Sequence, residues 1–223
     1  MRRFGIFLAV VALSASSCVT GLAQESGAAQ PIVVDAHATG TAFPHFWEEM
    51  FGSGRAHLAM RQSYRDDLEQ VRKVTDFRYV RFHAILDDEN GVYSEDAQGN
   101  PVYNWSYVDH IYDGLLAKGI KPFVEISFMP KALAAKVVYQ AFWYKPISSP
   151  PASYEKWDAL MTAFAKHLID RYGIDEVASW YFEVWNEPNL DFWSGKPAQA
   201  TYFKLYDHTA RALKAVSPRI RVG

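Results

Sequence analysis

The sharpest chemistry in the sequence is one carboxyl group and its neighbours. Glu187 stands in the run Trp185-Asn186-Glu187-Pro188, after the apolar-rich stretch Trp180 to Val184. Side chains alternate along a strand, so Glu183, Trp185 and Glu187 share one face and Asn186 takes the other. Asn186 and Glu187 can both reach one ligand only where strand pairing ends or bulges, and Pro188 marks that place. A carboxyl group at a strand end is placed to give a proton to a leaving group and to take one from water. Other residues of chemical interest fall at similar positions: Arg81 and His83 in Arg81-Phe82-His83, and Ser127 and Phe128 after the run from Lys121. Glu125 is read as the buried partner of an Arg or Lys. Asp87, Asp88 and Glu89 are read as a solvated acidic loop. Cys18 is the one cysteine, so neither an internal disulfide nor a Cys-rich metal site can form.

These positions need elements to hold them, and the chain alternates strand and helix patterns. Strands are predicted over 46–53, 77–84, 121–128 and 180–187, with a fifth opening at 219–223. Helices are predicted between them. The first runs over 63–76, capped by Ser63 with Asp66 completing a capping box. The second starts at Ser106, with Asp109 as its partner. Its residues Val108, Ile111, Tyr112, Leu115 and Leu116 recur at helical spacing, and Gly119 stops it. The third covers 154–172 behind Ser153, with Trp157, Leu160, Met161, Phe164 and Leu168 as its apolar stripe. The fourth covers 201–216. Polar residues 87–103 and aromatic-rich residues 129–151 are read as loops.

Four strand–helix units and the start of a fifth predict a parallel α/β architecture. A doubly wound nucleotide fold wants a three-glycine turn after the first strand, and Gly52-Ser53-Gly54-Arg55 lacks it. The expectation is a (β/α)₈ TIM barrel, N-terminal half only: strands 1–4 with their helices and the start of strand 5. A full barrel takes about 250 residues. Active-site groups then lie at the C-terminal strand ends, where Arg81, His83, Phe128, Asn186 and Glu187 fall.

Composition limits the partners. Hydrophobic residues make up 49 % and charged residues 22 %, which is globular. The formal net charge is −2, with no basic excess for a phosphate backbone, so nucleic acid is not expected as a partner. Arg2 and Arg3, an apolar stretch over 4–15 and Gly21-Leu22-Ala23 predict a secretory signal peptide over residues 1–23, cut before Gln24. The remainder, 24–223, is read as one catalytic barrel domain truncated on its C-terminal side. Export to the periplasm or the extracellular space is expected. Lipidation of Cys18 is the less favoured alternative, because Ala15 stands where a large aliphatic residue is usual. No later segment reaches the 18 apolar residues of a membrane span.

At this point the residues carry a resemblance. Trp185-Asn186-Glu187-Pro188 resembles the Asn-Glu-Pro signature of a clan of retaining glycoside hydrolases built on (β/α)₈ barrels. Phe43-Pro44-His45-Phe46-Trp47-Glu48 with Gly52-Ser53-Gly54-Arg55-Ala56, then Phe128-Met129-Pro130-Lys131-Ala132-Leu133, then Phe182 to Leu190, together resemble glycoside hydrolase family thirty-nine. That family holds β-xylosidases and α-L-iduronidases. The resemblance implies Glu187 as acid/base catalyst, Asn186 on the sugar 2-hydroxyl, His83 in the glycone subsite and Phe128 as its wall. It implies a double displacement on an oligosaccharide or glycoside substrate, with β-xylosidase activity the leading reading. It implies no cofactor and no metal. The family's nucleophile is a Glu near strand seven, beyond this chain, so the fragment alone is expected to be inactive. The competing readings are a non-catalytic carbohydrate-binding protein on the same fold and an α-L-iduronidase-like specificity. A metal-dependent hydrolase is disfavoured because the first strand has no His-x-His.

Overall fold

The computed structural model describes residues 32–35 and 37–223. The predicted signal peptide, its cleavage site and Cys18 lie outside them. The chain divides into a unit ending at Phe43 and one from Pro44 to Gly223. Among the described residues the regular elements belong to the second unit. In order they are β1 (Met50–Arg55), α1 (Gln62–Arg72), β2 (Tyr79–His83), β3 (Tyr93–Glu95), β4 (Pro101–Tyr103), α2 (Ser106–Leu116), β5 (Lys121–Ile126), α3 (Tyr154–Tyr172), α4 (Ile174–Val177), β6 (Tyr181–Val184), α5 (Ala198–Val216) and β7 (Arg221–Val222).

Five strands form one sheet in the order β1-β2-β5-β6-β7, and every pair is parallel. Each strand lies beside the barrel strand before it in sequence. A doubly wound sheet would reverse its order at a switch point, and this one never does. The order is that of consecutive strands in a (β/α)₈ barrel.

Alternation sorts the side chains into two sets. Val80, Phe82, Val124, Ile126, Phe182 and Val184 are buried under the helices. The opposite parity stacks in layers. Tyr181 packs on Tyr79 and Phe123, with ring centroids 5.3 and 5.5 Å apart, and the Arg221 guanidinium lies 3.8 Å from the Tyr181 ring. Above this aromatic layer Arg81 pairs with Glu183, and above that His83 meets Glu125. The layers run aromatic, ionic, then polar toward the C-terminal strand ends.

The helices follow their apolar stripes. In α3, Ser153 Oγ accepts the Lys156 N–H at 3.2 Å, the cap the sequence predicts. Trp157, Leu160, Met161, Phe164 and Leu168 are buried, and Gly173, at φ +81°, ends the helix. The Trp157 indole N–H donates to Thr209 Oγ1 on α5 at 2.9 Å, fixing the two helices together inside the core.

Several boundaries differ from the sequence reading. Residues 46–48 form a 3₁₀ turn, so β1 starts later than predicted. Its register shifts between Gly52 and Arg55. Gly54 sits there at φ +47°, a left-handed conformation that glycine adopts without strain, and a Cβ on it would push against the tip of Leu58 at 2.7 Å. Neither predicted capping box forms. Asp66 accepts from Gln62 at 2.7 Å, and Asn104 caps the start of α2 by accepting from Ser106 N–H and Oγ–H. The predicted 87–103 loop contains the antiparallel hairpin β3–β4, turned by Asp96, whose Oδ1 accepts from the Gln98 and Asn100 N–H groups.

Candidate active site

The C-terminal ends of β2, β5 and β6 are neighbours, and interstrand bonds tie their exits together. Leu86 N–H donates to the Ser127 carbonyl at 2.8 Å, and Trp185 N–H to the Ile126 carbonyl at 3.2 Å. Three non-glycine residues here have left-handed backbone: Ala84 at φ +71°, Trp185 at φ +71° and Glu187 at φ +39°. Each such residue costs about 1–3 kcal/mol, and strain of this kind collects at functional sites.

The bend has a direct effect. β6 ends at Val184, so the alternation expected through Glu187 stops three residues early. Asn186 and Glu187, predicted on opposite faces, adjoin: Asn186 Nδ2 lies 3.4 Å from Glu187 Oε2. Asn186 is buried and Glu187 is exposed.

Arg81 organises the group. Its Nε and Nη2 grip Glu183 Oε2 and Oε1 at 2.5 and 2.8 Å, and Nη2 also donates to Asn186 Oδ1 at 2.9 Å. Burial opposes the guanidinium charge. The hydrogen bonds to Glu183, with the fields of Glu125, Glu183 and Glu187, outweigh it and raise the Arg81 pKa. Arginine offers only donors, so Asn186 must turn its oxygen to Arg81 and its NH₂ toward Glu187.

His83 stands at the end of β2, with its side chain about one-fifth exposed. Its Nδ1 lies 3.2 Å from Glu125 Oε2. Glu125 pairs with this histidine rather than with the Arg or Lys expected: it stands directly beside Glu183 in the β5–β6 register, and Glu183 takes the Arg81 fork. His83 stacks on Phe142 at 6.0 Å and lies 6.2 Å from Phe192, two aromatics from the 129–151 and 185–197 segments that the sequence reading did not single out. Phe128, expected against the sugar, has no exposed surface. Its ring backs Trp185, Phe192 and His83 from inside the core.

The acidic segment after β2 is only partly solvated: Asp88 is exposed and Glu89 half-buried. Asp87 is buried, and its Oδ1 accepts the Glu89 N–H at 3.0 Å. Burial is the main cause that lifts its pKa to about 6. Glu89 holds Arg55 at 2.7 Å, and the Arg55 guanidinium lies over the rings of Trp143 and Tyr144 at 4.6 and 4.9 Å. Asp88 takes the Lys131 N–H. These contacts clasp the β2 and β5 loops together beside the strand ends. Among the described residues no cluster of three metal-ligating side chains occurs.

Comparison with known proteins gives this geometry its relatives. The chain is 46 % identical over 185 residues to a beta-xylosidase of Geobacillus stearothermophilus, a match covering 81 % of this chain and 36 % of that protein. A monomeric beta-xylosidase of Caulobacter crescentus, known from a crystal structure, aligns with a TM-score of 0.74 and 45 % identity over 79 % of this chain and 35 % of that one. A mouse alpha-L-iduronidase is 26 % identical over 146 residues, 65 % of this chain and 21 % of that protein. The chain thus spans about a third of the length of these xylosidases. Residues 30–223 match the model of glycosyl hydrolases family 39, and the chain belongs to that family.

Proposed function

We propose that this chain carries the acid/base half of the active site of an exported, retaining β-xylosidase acting on xylo-oligosaccharides. The observation that carries the reading is the chain of contacts Arg81–Asn186–Glu187. Arg81 turns the Asn186 amide so that an NH₂ group faces the same side as an exposed carboxyl group. A donor there suits the sugar 2-hydroxyl, a contact that strengthens as the oxocarbenium-like transition state forms. Glu187 gives its proton to the glycosidic oxygen. A second carboxylate about 5 Å away attacks the anomeric carbon, and Glu187 then takes a proton from the water that releases the sugar. The family resemblance gives the nucleophile's role to a Glu near the end of a seventh strand, and among the described residues Glu183 and Glu125 are occupied by Arg81 and His83. His83, Phe142 and Phe192 wall the glycone, and Phe128 supports that wall. Xylose is favoured over iduronate by the 46 % identity to a beta-xylosidase against 26 % to an alpha-L-iduronidase.

The test is Glu187→Ala in the full-length enzyme. Substrates with poor leaving groups should slow by roughly 10²–10⁴-fold. Aryl β-xylosides with acidic phenols should show a burst and then slow turnover, and azide should restore turnover. Equal slowing on all substrates without azide rescue overturns the acid/base role. A wild-type protein that binds xylosides and never hydrolyses them leaves the binding-protein reading.

A further inference from the structure

We infer that Glu125 is a positioning residue that holds His83 as the Nδ1–H tautomer, leaving Nε2 as a hydrogen-bond acceptor for one hydroxyl of the bound sugar. The inference rests on the proposed function for the identity of the ligand, but its central claim concerns the protein alone.

Glu125 is 1 % exposed, and among the described residues its carboxylate meets a single polar partner, His83 Nδ1, at 3.2 Å. Its other oxygen, Oε1, is buried with no hydrogen-bond partner among the described residues. A buried carboxylate is costly unless something holds its charge, and an unpaired buried oxygen adds to that cost. Packing gives no reason for a carboxyl group here, since Leu or Met would fill the same space without an orphan atom. What Glu125 has in place of full pairing is position. Arg81, whose pKa the field of Glu125 helps to raise, lies in the layer beneath, and His83 lies above.

An ionised carboxylate only accepts hydrogen bonds, so the His83 nitrogen facing it must carry a proton. A neutral imidazole has one N–H, and the other nitrogen is then a lone pair. Nε2 bonds to no described residue, while the ring packs beside Phe142, Phe192 and Phe128, with centroids 6.0, 6.2 and 6.4 Å away. The ring is therefore fixed by stacking and its proton by Glu125. The site presents a set pattern to a sugar: a donor from Asn186 and an acceptor from His83. Free imidazole puts its proton on either nitrogen, so without Glu125 the pattern would be mixed. An acceptor held in this way favours a hydroxyl group over a hydrogen or fluorine at the same sugar carbon.

The experiment uses the full-length enzyme with ring-¹⁵N histidine, at pH 8 and without substrate, the His83 signals being assigned by loss in His83→Ala. The wild type should show a protonated Nδ1 and a bare Nε2. Glu125→Leu should move the population toward Nε2–H. Glu125→Gln, whose amide can accept or donate, should lie between and keeps the test alive if the Leu variant does not fold. On 2-, 3- and 4-deoxy or deoxyfluoro aryl xylosides, the wild type should lose roughly 10-fold or more in kcat/KM at one position, the scale of one hydrogen bond to a polar partner. That penalty should shrink in the order wild type, Gln, Leu. A wild-type Nε2–H tautomer, or variants that leave both tautomer and penalty unchanged, overturns the inference. If the tautomer shifts as expected but no protein hydrolyses xylosides, the proposed function fails while the positioning role stands.

Discussion

Arg81 Nη2 donates to Asn186 Oδ1 at 2.9 Å while the same guanidinium grips both oxygens of Glu183. One side chain thus joins the ionic layer of the barrel interior to the residue beside Glu187. Arg81→Lys supplies a point charge in place of a fork and cannot serve Glu183 and Asn186 together. The full-length variant should stay folded and lose roughly 10–100-fold in kcat/KM, a loss of about 1.4–2.7 kcal/mol at the transition state. Steady-state kinetics beside a thermal melt check this. Unchanged kinetics would show that Asn186 keeps its orientation without the fork.

Asn186→Asp keeps the shape and the acceptor for Arg81 but removes the NH₂ group. By analogy with other transition-state donors, kcat/KM should fall roughly 10²–10³-fold on aryl xylosides. Most of that difference should vanish on a 2-deoxy substrate, which has no hydroxyl for the donor to meet. An undiminished loss on the 2-deoxy sugar would place the Asn186 contact elsewhere.

Asp87 predicts a pH dependence of stability. Its folded pKa is raised to about 6, mainly by burial, from the ordinary 3.8 of an aspartate. The folded protein therefore holds this proton more tightly than the unfolded chain, and stability falls as pH rises between about 4 and 6. Asp87→Asn keeps an oxygen to accept the Glu89 N–H and removes the charge. It should raise stability above pH 6 by roughly 1–3 kcal/mol and have little effect near pH 4. Urea unfolding at pH 4.5 and 7.5 reads the difference. A loss of stability at pH 7.5 would show that Arg55 compensates the buried charge.

Thr209→Val should leave the Trp157 indole N–H buried and unpaired between α3 and α5, since Thr209 Oγ1 is its partner at 2.9 Å. The expected cost is about 1–3 kcal/mol in denaturant unfolding, with activity unchanged below the transition. Thr209→Ser should recover most of it. Equal stability of all three would mean that the indole finds water.

Much of this was legible in the sequence because it depends on local signals. The α3 stripe, its Ser153 cap and Gly173 stop are neighbour-scale patterns, and they hold. The parallel barrel order follows from strand–helix alternation and a missing phosphate turn. What was misread depends on contacts far apart in the chain. The strands of the hairpin β3–β4 have three residues each, too few for an alternation to show, and their pairing depends on the turn between them. Asp87 is buried because the Arg55–Glu89 pair and the aromatic loop close over it, 32 residues from Arg55 and 57 from Tyr144. Strand parity alone already put Glu125 opposite Val124 and Ile126, on the same side as His83 of the neighbouring strand. Its partner needed the register of β2 against β5. The burial of Phe128 was not legible, because a residue just past a strand end can turn into the core or the cleft, and nothing local decides which.

The left-handed residues at the strand exits set a condition on transplanting this machinery. An ideal strand presents neighbours to opposite sides, so copying Asn186 and Glu187 onto one would separate them. Here Trp185 and Glu187, at φ +71° and +39°, turn the chain so that consecutive side chains meet. A designed scaffold that borrows only the residue identities would inherit the letters without the geometry. It would have to reproduce a backbone that most sequences avoid, and to supply enough stability elsewhere to hold it.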